Sequence, residues 1–288
     1  MNMNESTRLP TQPGPTPPVL SSADGGRLRA ELEEHYQTFN HRDWIHPDPL
    51  EVVYRYTSAQ DREVVALIAA CLAYGRVKQI LQSIEKVLAA LGPSPHECLA
   101  HADEMWLKEK LHGFKHRWTT AQELVSFLAG IGAVLGRFGS LEQCFLAHHR
   151  QNEETTSPGL SGFAGDLLNG GRPTSLVSAP EKGSACKRLH LYLRWMVRSD
   201  RVDPGCWRGV SPSQLVVPLD THMHRIALAL GMTSRKQANF AAALDVTRAF
   251  RALCPEDPVR YDFSLTRLGI RRETDLDGFL ARISSPGS

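Results

Sequence analysis

The chain has 288 residues, 42% hydrophobic and 22% charged, which is long enough to bury a sizeable core and ordinary for a globular protein. That balance excludes a collagen, a coiled-coil rod and a wholly disordered chain. Lysine plus arginine number 33 and aspartate plus glutamate 31, a formal charge of +2 that, taken whole, argues against an obvious nucleic-acid binder.

Residues 1–24 hold five prolines and few large apolar groups, too little burial to offset ordering entropy, and read as a disordered tail. No basic start precedes an apolar stretch, so no secretory signal is expected. The most apolar run, residues 64–75, is shorter than the roughly 18–20 residues that span a bilayer and reads as a buried helix, so no membrane partner is expected. The six cysteines (Cys71, Cys98, Cys144, Cys186, Cys206 and Cys254) form no C-x-x-C pair and stand near no histidine pair at zinc spacing. Free thiols in a reducing cytoplasm follow, with no metal, iron–sulfur cluster or other cofactor expected.

The body of the chain reads as helix. Ser58 with Asp61 opens one helix that Gly75 closes. Val77, Ile80, Leu81, Ile84, Val87, Leu88 and Leu91 repeat at helical spacing until Gly92 and Pro93 stop them. Thr120 with Glu123, then Ser140 with Gln143, repeat a capping-box pattern. Residues 151–182 are rich in glycine and proline, with a short helix at 163–168, and form the best candidate hinge or crossing between two lobes. An apolar stripe at Leu189, Tyr192, Leu193, Met196 and Val197 makes the next helix, and another is expected over about 234–253. Asp257 and Pro258 read as the N-cap and first turn of a last long helix, which Gly269 ends; residues 284–288 read as a frayed tail. Residues 215–217 are the sole strand candidate. The expectation is an all-α domain over 25–283, about ten helices in two lobes, without internal repeats.

The mild total charge hides an asymmetry. From Glu181 onward 17 basic residues face 11 acidic ones, so this part carries +6 and the rest −4. The bases gather at Lys182, Lys187, Arg188, Arg194, Arg198 and Arg201, and again at Arg267, Arg271 and Arg272. A lobe docking on phosphates would look like this, and so would a solvated helix face.

Two stretches hold the residue types that do chemistry. The first, Ala179 to Arg198, sets a Pro/Gly turn at the start of an amphipathic helix, where the backbone N–H groups around Gly183 to Cys186 and the helix dipole favour a phosphate. Lys187 falls in the first helical turn, where partial desolvation beside the dipole's positive end favours a nucleophilic neutral amine. The second, Gln214 to Ala227, contains Val217-Pro-Leu-Asp-Thr-His-Met-His-Arg225 and delivers Asp220 to a helix N-terminus. Two readings of Asp220 stand open there: a cap on Met223 N–H, or a carboxylate turned into a cleft. His222 and His224, two apart, point different ways on a helix and make a poor zinc pair. Arg76, Lys78 and Gln79 are placed to reach a cleft, or simply to start a solvated helix. Trp195 reads mainly as core, Trp207 as core or a base wedge, and Phe114 to Trp118 as a helix staple or a DNA contact.

Together the two stretches resemble the helix-hairpin-helix DNA glycosylase superfamily, which includes endonuclease III and the 8-oxoguanine glycosylases. The chain also looks like a conserved bacterial family with the same Gly-Ser-x-Cys-Lys-Arg and Pro-Leu-Asp-Thr-His signatures. The resemblance covers roughly Asp61 to Gly269 and is specific in the second stretch. It implies a two-lobed, monomeric all-α fold with a helix-hairpin-helix, Asp220 as the catalytic carboxylate and Lys187 as a Schiff-base lysine. Lys182, Gly183, Ser184, Ala185, Cys186 and Arg188 become DNA contacts, and Arg76, Gln79 and His222 the base pocket. The implied partner is double-stranded DNA with a damaged base flipped out, in the nucleoid-bearing cytoplasm. The implied activity is base excision with β-elimination at the abasic site. The alternative is a DNA-binding helix-hairpin-helix module without catalysis. The hairpin departs from the family in having one fitting glycine, Gly183, where two are usual. The 33 residues from Lys187 to Asp220 resemble the archaeal 8-oxoguanine branch, which makes an oxidised purine the first guess. The iron–sulfur cysteines of the endonuclease III branch are absent.

Overall fold

A computed structural model describes residues 22–168, 174–178, 184–270 and 276–284. The expected tails at 1–24 and 284–288 therefore lie almost wholly outside the described residues, as does part of the 151–182 crossing.

The chain is 65% helix and 2% strand, an all-α protein. The helices are α1 (Ser22–Phe39), α2 (Ala59–Leu72), α3 (Val77–Leu91), α4 (Pro95–His101), α5 (Glu104–Lys110), α6 (Ala121–Phe138), α7 (Leu141–His148), α8 (Ser157–Leu167), α9 (Lys187–Val197), α10 (Thr221–Ala229), α11 (Phe240–Leu253), α12 (Asp262–Ile270) and α13 (Leu276–Ser284). A 3-10 turn at Pro49–Arg55 and an antiparallel hairpin, β1 (Lys115–His116) with β2 (Thr119–Thr120), complete the parts used below.

Several ends are set by the side chains the sequence offers. Ser58 caps α2 by accepting from Asp61 N–H, and Ser140 caps α7 by accepting from Gln143 N–H. Thr120 and Glu123 close a full capping box on α6. The centre is α2 against α9. Every residue of α2 from Glu63 to Leu72 is buried, and so is every residue of α9 from Tyr192 to Val197. A helix apolar all round must lie inside the protein. The buried side chains form one contiguous cluster from Leu28 in α1 to Phe279 in α13.

Several expectations change. The short helix expected at 163–168 runs over Ser157–Leu167, and Gly269, expected to end the last helix, lies inside α12. The helix expected from about 234 begins at Phe240, because Asn239 is its cap and accepts from Ala242 N–H. Asp257 caps no helix; its carboxylate takes the Arg198 Nε–H at 2.9 and 3.1 Å, and α12 starts five residues later. Residues 215–217 are extended but unpaired as a strand, Val217 N–H donating instead to Thr247 Oγ1. The longest apolar helix is α6, whose 18 residues are long and apolar enough to cross a membrane where residues 64–75 are not; its apolar face from Leu124 to Leu135 is buried against α4, α5, α7 and α8.

The charge asymmetry also resolves differently. Arg194 and Arg198, 4% and 3% exposed, do not face solvent. Arg194 donates to Asp203 and Asp262, and Arg198 to Asp203, Asp257 and Asp200. Arg267 is likewise buried and bonded to Asp48 at 2.9 Å. Three of the clustered bases, Arg194, Arg198 and Arg267, are thus internal, and the aspartates that pair with Arg194 and Arg198 belong to the same part of the chain, so its net excess is left to the other side chains. Asp203→Ala leaves two buried guanidinium groups short of a partner and is expected to cost about 3–5 kcal/mol. A fall in the urea midpoint without a change in slope checks it.

Candidate functional site

The two chemistry-bearing stretches meet in one cleft of about 1330 Å³. Its walls come from residues 47–49, the 73–75 turn after α2, the first turn of α3, the start of α9, residues 218–222, residues 237–239 and α12.

Lys187 is the first residue of α9. Before it, Cys186 takes φ 44 and ψ 35, a left-handed conformation that costs a non-glycine residue about 1–2 kcal/mol. The turn is held by Cys186 N–H donating to Ser184 Oγ at 3.2 Å and by the buried thiol donating to Ser178 O at 3.8 Å. So Cys186 N–H, expected to be open to a phosphate, is already occupied. Ser184, Ala185 and Cys186 do line the cleft. Lys182 and Gly183 lie outside the described residues. Arg188 lines the cleft too, but its guanidinium donates to Cys71 O at 3.0 Å and Ser175 O at 2.6 Å, tying α9 to the end of α2.

Asp220 satisfies both of its readings at once. Its Oδ1 accepts from His222 N–H at 2.9 Å and Met223 N–H at 2.8 Å, capping α10. Its Oδ2 lies 3.9 Å from Lys187 Nζ, with the lysine side chain 30% and the aspartate 24% exposed. Both groups are therefore reachable from the cleft.

A second carboxylate, not foreseen from the sequence, sits behind this pair. Asp262 in α12 is 3% exposed and lines the cleft. One of its oxygens takes Arg194; the other, Oδ1, has no hydrogen-bond partner among the described residues. Burial holds its carboxyl above the ordinary carboxylate range against the pull of Arg194, and the negative charge of Asp220 adds to the rise. Had the helix been started at residue 262 rather than at Asp257, an aspartate at its first position would have stood out.

Of the expected base-pocket residues, His222 lines the cleft, while Arg76 and Gln79 are exposed and do not. Because α3 starts at Val77, its inward positions are Val77 and Ile80, which turns 76 and 79 outward. The amides present are those of Gln237 and Asn239. His224 points away and donates from Nε2 to Arg235 O at 2.8 Å. Trp195 is core, and so is Trp207, 2% exposed with its indole N–H on Glu63 at 3.0 Å, so the wedge reading of Trp207 is overturned.

The exposed tryptophan stands elsewhere. Trp118, 60% exposed at the hairpin turn, stacks on the cleft residue Tyr74 with centroids 5.0 Å apart and an interplanar angle of 19°. Arg117 lies over the outer indole at 4.7 Å and Arg188 over the tyrosine ring at 5.2 Å. Gly75, at φ 104, lets the Arg117 stem pass: a Cβ there would stand 2.8 Å from Arg117 Cδ. Below the stack, buried His116 donates from Nε2 to Tyr74 O at 3.0 Å and accepts from Ser83 at Nδ1, 2.8 Å.

A family model described as protein of unknown function, DUF2400, matches residues 48–271, more than half of the chain. The chain belongs to the DUF2400 family. None of the curated proteins and none of the solved structures compared with it matches. The DUF2400 stretch takes in every cleft residue except Pro47 and leaves out α1 and α13.

Burial lowers the pKa of His116 below its ordinary 6.5. A depressed histidine stabilises the fold above its unfolded pKa, and the contribution is lost as pH falls through the folded value. The Tm advantage of the wild type over His116→Gln is expected to be full above pH 6.5 and to shrink on acidification; melts across pH 4.5–8 (roughly the window set by histidine pKa values) check this.

Proposed function

We propose that the protein is a DNA N-glycosylase with β-elimination activity at the resulting abasic site, built on a two-lobed helix-hairpin-helix fold whose hairpin precedes α9. The observation that carries the reading is the 3.9 Å approach of Lys187 Nζ to Asp220 Oδ2 at the wall of one cleft. The resemblance to the glycosylases assigned these two residues, and a flipped sugar must reach both.

In this reading the damaged nucleotide leaves the duplex and enters the cleft. Its volume exceeds the about 300–1,000 Å³ usual for a small-molecule pocket, which suits an extended ligand. Lys187 Nζ attacks C1′ as the bond from C1′ to the base nitrogen breaks. Asp220 Oδ2 stabilises the positive charge developing on the sugar and accepts a proton from the amine. The C1′–O4′ bond then opens, O4′ taking a proton, to leave an imine at C1′; loss of a C2′ proton to solvent or to Asp220 lets the 3′ phosphate leave by β-elimination. An oxidised purine is the first substrate to try.

With Arg188, Arg194, Arg198 and Arg267 bonded internally, the exposed candidates for phosphate contact beside the cleft include, among the described residues, Arg225, one turn beyond Thr221, and Lys236, beside Gln237. Replacing either by alanine is expected to weaken duplex binding and to flatten the log–log salt dependence by about one unit; binding titrations at several salt concentrations measure it.

The decisive experiment is borohydride trapping on duplexes carrying 8-oxoguanine, uracil or hypoxanthine. Wild type is expected to form a covalent adduct and release base, and Lys187→Gln to form none. Asp220→Asn keeps an oxygen for the α10 cap, since asparagine caps as well as aspartate. It is therefore expected to fold and bind normally while losing about 10²–10⁴-fold in rate. DNA binding without adduct or base release would mark the chain as the non-catalytic module; an adduct that persists in Lys187→Gln would reassign the nucleophile.

A further inference from the structure

Away from the cleft, three side chains of metal-ligating type converge where α7 meets α8. Cys144 and His148 are four apart on α7 and so share a face. Asp166 reaches them from α8. Their ligand atoms all lie within 4.8 Å of one another. His148 Nε2 is 2.6 Å and Cys144 Sγ 3.6 Å from the same oxygen, Asp166 Oδ2. None of the three lines the cleft.

The geometry points to a binding site for one divalent transition-metal ion, zinc being the natural occupant, held by Cys144 Sγ, His148 Nε2 and Asp166 Oδ2. One thiolate, one imidazole and one carboxylate form a donor set that zinc accepts, with a solvent molecule as fourth ligand. The surroundings suit the role. Asp166 Oδ1 is engaged by Arg137 at 2.9 Å, which orients the carboxylate and leaves Oδ2 for the ion, as an outer ligand partner does. Gly162 makes room for the imidazole, since a Cβ there would stand 2.3 Å from His148 Cγ. Cys144 is buried, while His148 is one-third exposed and gives the ion a path in.

Binding is a proton exchange. The Cys144 thiol loses its proton to solvent, and the His148 proton moves from Nε2 to Nδ1 so that Nε2 can coordinate. The hydrogen bond from His148 to Asp166 is replaced by two bonds to the metal. Because a thiolate and a neutral imidazole are the ligating forms, uptake is favoured by rising pH. The ion would join α7 to α8. A sequence search for paired cysteines or paired histidines passes over such a site, because its third ligand is 18 residues from the second.

The test uses the full-length protein, stripped with a chelator and titrated with cobalt(II). One equivalent is expected to bind with a thiolate-to-cobalt charge-transfer band in the near ultraviolet, and zinc is expected to displace it. Zinc at a hundredfold excess over its Kd should raise Tm by about 5–10 °C. Cys144→Ser should abolish the band. Should that variant fail to fold, His148→Ala, changed at a partly exposed position, should abolish stoichiometric binding while its circular dichroism stays that of wild type. No binding of one equivalent of cobalt, a band that survives Cys144→Ser, or stoichiometric binding by folded His148→Ala would each overturn the site. All of these readouts are independent of DNA and of base release.

Discussion

The arrangement rests on two buried arginines and the aspartate between them. Arg194 and Arg198 stand one turn apart on the buried end of α9 and share Asp203, whose side chain is fully inside. Two charged guanidinium groups in a low-dielectric interior are tolerable only when each is surrounded by acceptors. Asp203, Asp257, Asp262 and Asp200 supply them from the loop after α9, the loop after α11, and α12. These acceptors lie far apart in sequence, so satisfying the arginines fixes where α9 sits against α12 and against the coil that leads to Asp220. The N-terminal end of the same helix carries Lys187.

Asp262 belongs to both systems. One oxygen answers Arg194 in the interior; the other is also buried, without a hydrogen-bond partner among the described residues, in the wall of the cleft that Lys187 and Asp220 line. A change at Asp262 therefore acts on stability and on the cleft together. Asp220 divides its labour in the same way, one oxygen to the α10 N-terminus and one to the lysine. At both positions the group that faces the ligand side is anchored by a bond to the protein from its other oxygen. Side chains held in this manner lose little freedom when a ligand arrives, which is what preorganisation requires.

Local signals in the sequence translated well into structure. Ser58, Thr120 and Ser140 cap the helices they precede because the rule links a side chain to a backbone donor three residues away. The Pro218-Leu219-Asp220-Thr221-His222 stretch and Lys187 were legible as a pair from their resemblance to other chains. Whatever depended on partners distant in sequence was not. The arginines at 194 and 198 looked like part of a basic surface until the aspartates at 203, 257 and 262 were seen to hold them inside. Asp257 looks like a helix cap by every local criterion, and Arg198, 59 residues back, takes it away. Arg76 and Gln79 missed the cleft because one residue of register on α3 decides which side faces it.

The coil between α9 and Asp220 has a bearing on how this family can vary. It buries Val202, Asp203, Trp207 and Val210, donates the Trp207 indole to Glu63, and offers the N–H groups of Arg208 and Gly209 to Glu142. A segment so thoroughly bonded is a structural layer made with little regular structure, one 3-10 turn at Pro212–Gln214 and one isolated bridge from Ser199 to Pro204. Surface loops absorb insertions and deletions freely because nothing inside depends on their length. This one cannot, since each added or lost residue would move an anchored side chain off its partner. The count of residues from Lys187 to Asp220 thus works as a fixed ruler, and length changes among relatives should collect in the surface connections on either side of it.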